Sequence, residues 1–525
     1  MYYRSTRGAV AGQSFEAAVL GGLAPDGGLY IPERIPAVTA EQLAQWSSLA
    51  FPELAAELFA LYVDSGEITK AELETLATRS YATFRHPDIT PIRALSESQR
   101  LSVLELFHGP TFAFKDVALQ FLGNLFEFLL QRRNAHKQPG DRRDRITVVG
   151  ATSGDTGSAA IYGLRGKRDI SVFILHPRGR VSPVQERQMT TVLDANVHNV
   201  AVEGTFDDCQ DIVKQLFADD EFRVQYSLGA VNSINWARIL AQIVYYFFAY
   251  FQAEASGLKR TDEPLVFSVP TGNFGDILAG YYAQRMGLPI RLICATNEND
   301  ILDRFFRTGI YSKSSDGVAQ TWAPAMDICV SSNFERLAWY LARDTVVEVE
   351  GHGAEAERAR DVEASAVVAA WWTALKSHGG FQVDAATVAK AGEVFLSAKV
   401  SNDEMLATIC AWYERSAEEH GTPYVLDPHT AVGVKAAEKL RVERSDCNGP
   451  IICLSTAHPA KFDEAVERAL ANVATQVRFS FDDIRPVEIE ALAAKERRCE
   501  QVPEAEAKLI KEVVRQGLQA EGIAI

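Results

Sequence analysis

A chain of 525 residues is too long for one hydrophobic core and divides into roughly two to four domains. Its 47% hydrophobic and 23% charged residues are those of a globular protein, and a formal charge of −16 leaves no basic surplus to neutralise a phosphate backbone, which excludes a nucleic-acid partner. The seven cysteines (209, 294, 329, 410, 447, 453 and 499) form no C-x-x-C pair and no zinc spacing, so they read as reduced thiols of a cytoplasmic protein with no metal site.

The opening residues, Met1-Tyr2-Tyr3-Arg4-Ser5-Thr6-Arg7, lack the apolar core of a signal peptide. Residues 1–92 read as a small α+β domain. Pro25-Asp26-Gly27-Gly28 is a turn between short strands, 54–62 and 71–81 show helical spacing, and the segment ends near the extended Ile89-Thr90-Pro91-Ile92. Nothing there demands chemistry, and packing is its expected role. Residues 93–470 alternate strands and helices as two α/β lobes, the smaller about 143–230, with a mostly helical insertion about 345–420. The last segment, 471–525, carries charged helical stretches and no chemical constellation. The longest apolar run, 239–251, contains Gln242 and falls short of a bilayer span, so a buried helix is expected and no membrane association.

Four stretches of the α/β region carry polar chemistry. In the first, strand-like 101–106 leads into His108-Gly109-Pro110-Thr111-Phe112-Ala113-Phe114-Lys115-Asp116, and a helical pattern follows at once. A helix start and flanking phenylalanines both disfavour an ammonium and bring Lys115 towards the neutral amine that Schiff-base chemistry requires. Read alone, it is more simply a surface lysine beside an aspartate. In the second, the buried strand 146–149 ends at Gly150-Ala151-Thr152-Ser153-Gly154-Asp155-Thr156-Gly157-Ser158, a glycine-bearing turn that opens a helix and makes an anion seat.

In the third, Asn232-Ser233-Ile234-Asn235-Trp236-Ala237-Arg238 opens the long apolar helix and is either an anion seat or a helix cap with a solvated arginine. In the fourth, strand 265–269 runs into Pro270-Thr271-Gly272-Asn273-Phe274-Gly275-Asp276 and a further helix. Neither glycine turn matches G-x-x-x-x-G-K-[ST] or G-x-G-x-x-G, which disfavours an NTPase or a dinucleotide enzyme. Further on, 424–430 reads as a strand entering a helix, and 451–455 as a strand ending on the hydroxyls of Ser455 and Thr456. His108 and His429 precede helix starts with no second histidine at metal-ligand spacing, so both read as orienting or packing groups.

An activated lysine, two anion-binding turns and a hydroxyl at a strand end fit pyridoxal 5'-phosphate. Its aldehyde needs a lysine, its phosphate needs amides at a helix start, and its ring nitrogen needs a partner. On 5–8, 22–32, 108–116, 151–157, 232–238, 269–276, 427–431 and 455–459, in this order, the sequence resembles the threonine synthases of the longer yeast and bacterial kind, within the fold-type-II pyridoxal-phosphate enzymes.

The resemblance implies a tryptophan-synthase-β-like fold, two doubly wound α/β lobes with an added N-terminal α+β domain. It implies conversion of O-phospho-L-homoserine and water to L-threonine and phosphate by a cytoplasmic monomer or homodimer. Lys115 would carry the cofactor and move protons, Gly272, Asn273, Phe274, Gly275 and Asp276 would cradle its phosphate, and Thr456 would face its ring nitrogen. Thr152, Ser153 and Thr156 would hold the substrate carboxylate with Asp155 beside the ring hydroxyl, where many of the wider fold type carry asparagine. Asn232, Ser233, Asn235 and Arg238 would seat the leaving phosphate, with Arg180 and Lys461 as further nominees. A related threonine or serine dehydratase would use the same lysine without that second seat, and a non-catalytic metabolite-binding homologue would show no turnover.

Overall fold

The computed structural model describes residues 1–138, 140–260, 263–471, 473 and 479–523. Two sheets organise it. The larger has six strands in the order Phe395–Lys399, Ile290–Thr296, Leu265–Pro270, Ile451–Ser455, Leu101–Glu105 and Ile92–Ser96, all parallel but for the antiparallel last strand. The smaller runs Glu500–Val502, Val197–Val202, Ile170–Pro177, Ile146–Ala151 and Leu228–Gly229, all parallel. Leu265–Pro270 and Ile170–Pro177 are buried at every position, and apart from Ser268, Ser171 and His176 their residues are apolar.

Parallel strands present their C-terminal ends on one edge, where ligands bind in open α/β sheets. The strands ending at Glu105, Ala151, Pro270 and Ser455 lead respectively to Lys115, the Thr152 turn, the Gly272 turn and Thr456. The topology thus gathers what the sequence scatters over about 350 residues.

Two helices fix the lysine. Lys115–Asn134 packs against Asp155–Leu164 and against Trp236–Ala255, in which the whole apolar run is buried. The first crossing is very close: a Cβ at Gly123 would lie 1.9 Å from the Gly163 carbonyl oxygen, and one at Gly163 2.4 Å from that of Leu119. Among the described residues no helix is long and apolar enough to cross a membrane.

The N-terminal region contributes the helices Phe51–Tyr62 and Lys70–Tyr81, the latter started by a Thr69/Glu72 capping box. Their apolar faces join the same hydrophobic core as the lysine helix. Polar ties reach farther. The Thr6 hydroxyl donates to Glu335 (2.6 Å), Arg7 pairs with Glu335 (2.8 Å), and the fully buried Arg336 donates to the carbonyls of Tyr30 (2.8 Å) and Ile234 (2.6 Å).

Two local expectations change. Within the expected helical insertion, Ala354–His378 and Asn402–His420 are helices, but Phe395–Lys399 is an edge strand of the large sheet paired with Ile290–Thr296. Five residues, with Ser397 and Lys399 among them, are too few to distinguish strand from helix by period, and the partner strand decides. Residues 424–427 are not a strand: Asp427 caps a helix beginning at Pro428, its carboxylate accepting from the His429 amide at 2.9 Å. In the C-terminal segment Glu500–Val502 extends the small sheet and Ala507–Ala520 packs below it, while 472, 474–478 and 524–525 lie outside the described residues.

Gly123→Ala is expected to destabilise the protein by about 1–3 kcal/mol through overpacking at the helix crossing. A denaturant midpoint equal to that of the unsubstituted protein would show that the crossing opens freely.

Candidate active site

The loop before Lys115 is zipped to the end of a sheet strand. The amide of Leu106 donates to Ser455 O (3.0 Å), that of Phe114 to Thr456 O (2.8 Å), and that of His458 to Phe112 O (3.0 Å), around a bridge between Ala113 and Ala457. Lys115 is therefore the first residue of its helix, with Thr456 across from it. Phe112 adopts a left-handed backbone (φ 60°), costly for a bulky residue, and is held by the Arg85 guanidinium 3.9 Å over its ring and the edge of His458. Asp116 does not face the lysine. Its two oxygens accept from the Thr111 amide and hydroxyl, both at 2.7 Å, and burial pushes its carboxyl up to about 6 against those bonds.

Lys115 is buried, and its Nζ lies 3.5 Å from Asp155 Oδ2. Burial depresses its pKa, Asp155 opposes that, and Lys461 and Arg238 add to the depression. Asp155 opens the helix Asp155–Leu164 and accepts at Oδ1 from Gln185 Nε2 (2.8 Å) and Lys461 Nζ (2.7 Å). Burial alone would raise its carboxyl, but Lys461 first and Lys115 second hold it well below the usual carboxylate range.

In the preceding turn the Thr152 hydroxyl accepts from the amides of Gly154 (3.0 Å) and Gly157 (2.8 Å), so it shapes the loop. Ser153 is exposed and Thr156 half-buried, and neither side chain bonds within the described residues.

The second turn is buttressed from behind. Gly272 O accepts from the Ser331 hydroxyl (2.7 Å), Asn273 O from the Asn333 amide and side chain (3.0 Å each), and Asn273 Oδ1 from Ser332 (3.1 Å). Phe274, again left-handed (φ 62°), caps the helix Gly275–Arg285 and is anchored by Phe306, Phe334 and Phe395. The amides of Gly272, Asn273, Phe274 and Gly275 donate to none of the described residues, which leaves an anion cradle at a helix N-terminus. The Asp276 side chain turns from the cradle to the hydroxyls of Tyr245 (2.5 Å) and Tyr246 (2.9 Å), and burial pushes its carboxyl up to about 6. The Thr456 hydroxyl, nearly buried, also has no partner among the described residues.

The third stretch divides. Asn235 caps the long helix, accepting from the Ala237 amide (3.1 Å) and donating to Val19 O (2.8 Å), so both its polar atoms are committed to the frame. Asn232 is exposed, and Ser233 is half-buried with Ser332 at 3.4 Å. Arg238 is buried with one hydrogen bond, to Val231 O (3.1 Å), an unpartnered Nε, and no carboxylate in ion-pair range among the described residues. Burial lowers its pKa to about 10, so it remains a cation near neutral pH. The two further nominees part company: Arg180 sits on an exposed loop, while Lys461 is fully buried against Asp155 and donates to Thr111 O (2.8 Å).

Sequence reasoning missed Gln185, the Ser331-Ser332-Asn333 buttress and the tyrosine pair behind Asp276. The polar triplet before the helix Phe334–Thr345 was the one local signal for the buttress.

Three family profiles match in order: "Threonine synthase N terminus" over 2–81, "Pyridoxal-phosphate dependent enzyme" over 86–363 and "Threonine synthase, C-terminal" over 430–514. The threonine synthase of Schizosaccharomyces pombe is 51% identical, covering 99% of this chain and 98% of its own length. The crystal structure of yeast threonine synthase superposes with a TM-score of 0.91 at 51% identity, covering 99% of both chains. That of a threonine synthase from Brucella melitensis with PLP bound does so with a TM-score of 0.84 at 42% identity, covering 98% of this chain and 99% of the other.

The residues fit pyridoxal 5'-phosphate. A buried, depressed lysine suits its aldehyde, the unpartnered amides suit its phosphate, and the free Thr456 hydroxyl suits a ring nitrogen. The cradle has no spare volume, since a Cβ at Gly272 would lie 2.9 Å from Ala325 O and 3.1 Å from Met326 Cα. Gly272→Ala is expected to fold and to retain pyridoxal phosphate roughly tenfold less well, through about 1–3 kcal/mol of overpacking. Cofactor retained on dialysis measures this.

Proposed function

The chain belongs to the threonine synthase family of pyridoxal-phosphate-dependent lyases, and on that premise we propose that it converts O-phospho-L-homoserine and water to L-threonine and phosphate with the residues around Lys115. One observation carries the assignment of the substrate: Arg238, a buried guanidinium with no carboxylate partner among the described residues, whose charge is felt at Lys115. A buried cation without an anion is costly, and a phosphorylated substrate brings the anion.

When bound, pyridoxal phosphate supplies the electron sink that makes proton removal from the substrate's α- and β-carbons accessible. Lys115 Nζ takes the proton from the α-carbon and passes protons between carbons, which its depressed basicity suits at neutral pH. Ser153 and Thr156, with hydroxyls free, hold the substrate carboxylate, and Thr152 orders the amides of their turn. Gly272, Asn273, Phe274 and Gly275 bind the cofactor phosphate. Asp276 supports that helix start through its two tyrosines. Thr456 meets the ring nitrogen with a neutral hydroxyl, which does not force a proton onto it. Arg238, with Ser233 and Asn232 at the rim, seats the leaving phosphate, and Asn235 orients that stretch as its helix cap.

A dehydratase reading would keep Lys115 and leave Arg238 without an anion, which favours the phosphate ester. The seven cysteines all stand free, which supports a cytoplasmic setting, and the partner is the small-molecule substrate of a monomer or homodimer.

Purified protein given O-phospho-L-homoserine is expected to release phosphate and threonine in equal amounts; 2-oxobutanoate as the main product would move the assignment to the dehydratases. Lys115→Ala is expected to fold, form no borohydride-trappable cofactor adduct and make no threonine. Arg238→Ala is expected to keep the cofactor's visible band while kcat/KM for the phosphate ester falls roughly 100-fold, the loss of one buried charge partner. Unchanged turnover in that variant defeats the phosphate seat.

A further inference from the structure

Lys461 is a buried cation that the chemistry above does not use. It ends the short turn Pro459–Lys461, has no exposed surface, and spends its ammonium on Asp155 Oδ1 (2.7 Å) and Thr111 O (2.8 Å). Gln185 Nε2 occupies the same carboxylate oxygen at 2.8 Å. Lys115 meets only the other oxygen, at 3.5 Å. One carboxylate is therefore shared unequally between two lysines, and the tighter contact belongs to the lysine outside the chemistry.

We propose that Lys461 is a positioning residue for Lys115: by occupying the Asp155 carboxylate it keeps Lys115 out of the close ion pair that would hold its amine protonated. The inference rests on the reading of Lys115 as the cofactor-bearing amine. An aspartate this near a lone buried lysine would form a direct pair and favour the ammonium. With Lys461 present, protonating Lys115 would instead put a second ammonium beside a carboxylate already neutralised, with the Arg238 charge also disfavouring it.

The other groups facing this corner do not restore the balance. On the lysine's own helix, Asp116 is bonded twice to Thr111. From the helix Gly275–Arg285, Asp276 accepts from two tyrosines at Oδ1, its buried Oδ2 has no partner among the described residues, it makes no ion pair with Lys115, and burial weakens its acidity as it does that of Asp116. From Pro428–Glu443, His429 is engaged by Asp427 (2.9 Å) and by the Ala325 amide (3.2 Å). His458, beside the zipped loop, is pushed down to about 4 by burial and adds no charge near neutral pH.

The arrangement also accounts for an aspartate at a position where a neutral amide would suffice to bond a ring hydroxyl. Lys461 without Asp155 would be a buried charge uncompensated, and Asp155 without Lys461 would turn its charge onto Lys115. The position of Asp155, one side chain from Lys115, makes the identity of its partner a control on the amine.

The test uses the full-length chain, stripped of cofactor, as the unsubstituted protein and as Lys461→Met, Lys461→Arg, Asp155→Asn and the Asp155→Asn/Lys461→Met double variant. The rate at which trace acetic anhydride acetylates Lys115, mapped by mass spectrometry across pH, reports the neutral amine without any cofactor. The rate of pyridoxal phosphate capture, trapped with borohydride, reports the same amine towards its expected ligand.

Lys461→Met is expected to raise the acetylation midpoint of Lys115 by about one pH unit or more, and so to slow capture at pH 7 roughly tenfold. Lys461→Arg is expected to leave the midpoint near its original value. The double variant is expected to bring it back down, a rescue that a merely structural role for Lys461 would not produce. Asp155→Asn alone, which does not depend on Lys461→Met folding, is expected to lower the midpoint or leave it in place. An unmoved midpoint in Lys461→Met, no recovery in the double variant, or a rise in Asp155→Asn overturns the proposal. If the unsubstituted protein captures no pyridoxal phosphate while the acetylation midpoints move as stated, the assigned function fails and this inference stands.

Discussion

The site depends on a short antiparallel seam between two loops. Three main-chain hydrogen bonds join 106–114 to 455–458, at the edge where two neighbouring parallel strands end. The seam makes Lys115 the first residue of a helix, holds the Thr456 backbone against Phe114, and delivers Lys461 three residues after the last seam contact at His458. Remove it and the lysine, the hydroxyl and the second ammonium lose their common frame. The strained backbone of Phe112 lies within the seam, with a penalty of about 1–3 kcal/mol, and ring contacts with Arg85 and His458 keep it there.

Electrostatics then sort the polar groups by burial. Near the lysine, Asp155 is paired with a cation, Asp116 accepts from neutral donors at both oxygens, and Asp276 does so at one oxygen while the other has no partner among the described residues. Low dielectric makes these alternatives sharply different: a paired carboxylate stays ionised, and one bonded to neutral donors drifts towards protonation. Arg238 belongs to neither class. It is buried, its side chain donates to the Val231 carbonyl, and no carboxylate pairs with it among the described residues.

Much of this was legible in the sequence because parallel strands are buried on both faces. Ile146–Ala151, Leu265–Pro270 and Ile451–Ser455 stand out as largely apolar runs leading into glycines or hydroxyls, so turns and helix starts could be placed without a partner in view. What was not legible depends on residues distant in sequence. Phe395–Lys399 is a strand only because Ile290–Thr296 offers it an edge. Asn235 looked like an anion ligand because its stretch is polar, and the Val19 carbonyl, 216 positions away, claims its side chain. Lys461 was grouped with the phosphate seat for its charge alone; that it faces a carboxylate follows from sheet order, which no local pattern encodes. A phenylalanine in a left-handed turn runs against local preference, so neither Phe112 nor Phe274 announced its conformation.

The bonds of Thr6 and Arg7 to Glu335, and of Arg336 to Tyr30, join positions 329, 328 and 306 residues apart. On a ribosome adding roughly 5–20 residues per second, the N-terminal region emerges roughly 15–65 seconds before these partners exist. In that interval the Thr6 hydroxyl, which can accept from the Leu29 amide, has no Glu335 to donate to, and the apolar faces of the first helices lack the helix Trp236–Ala255 that will cover them. The N-terminal region is therefore made first and docked late, and in a crowded cell its residence as an unfinished surface is set by the speed of translation.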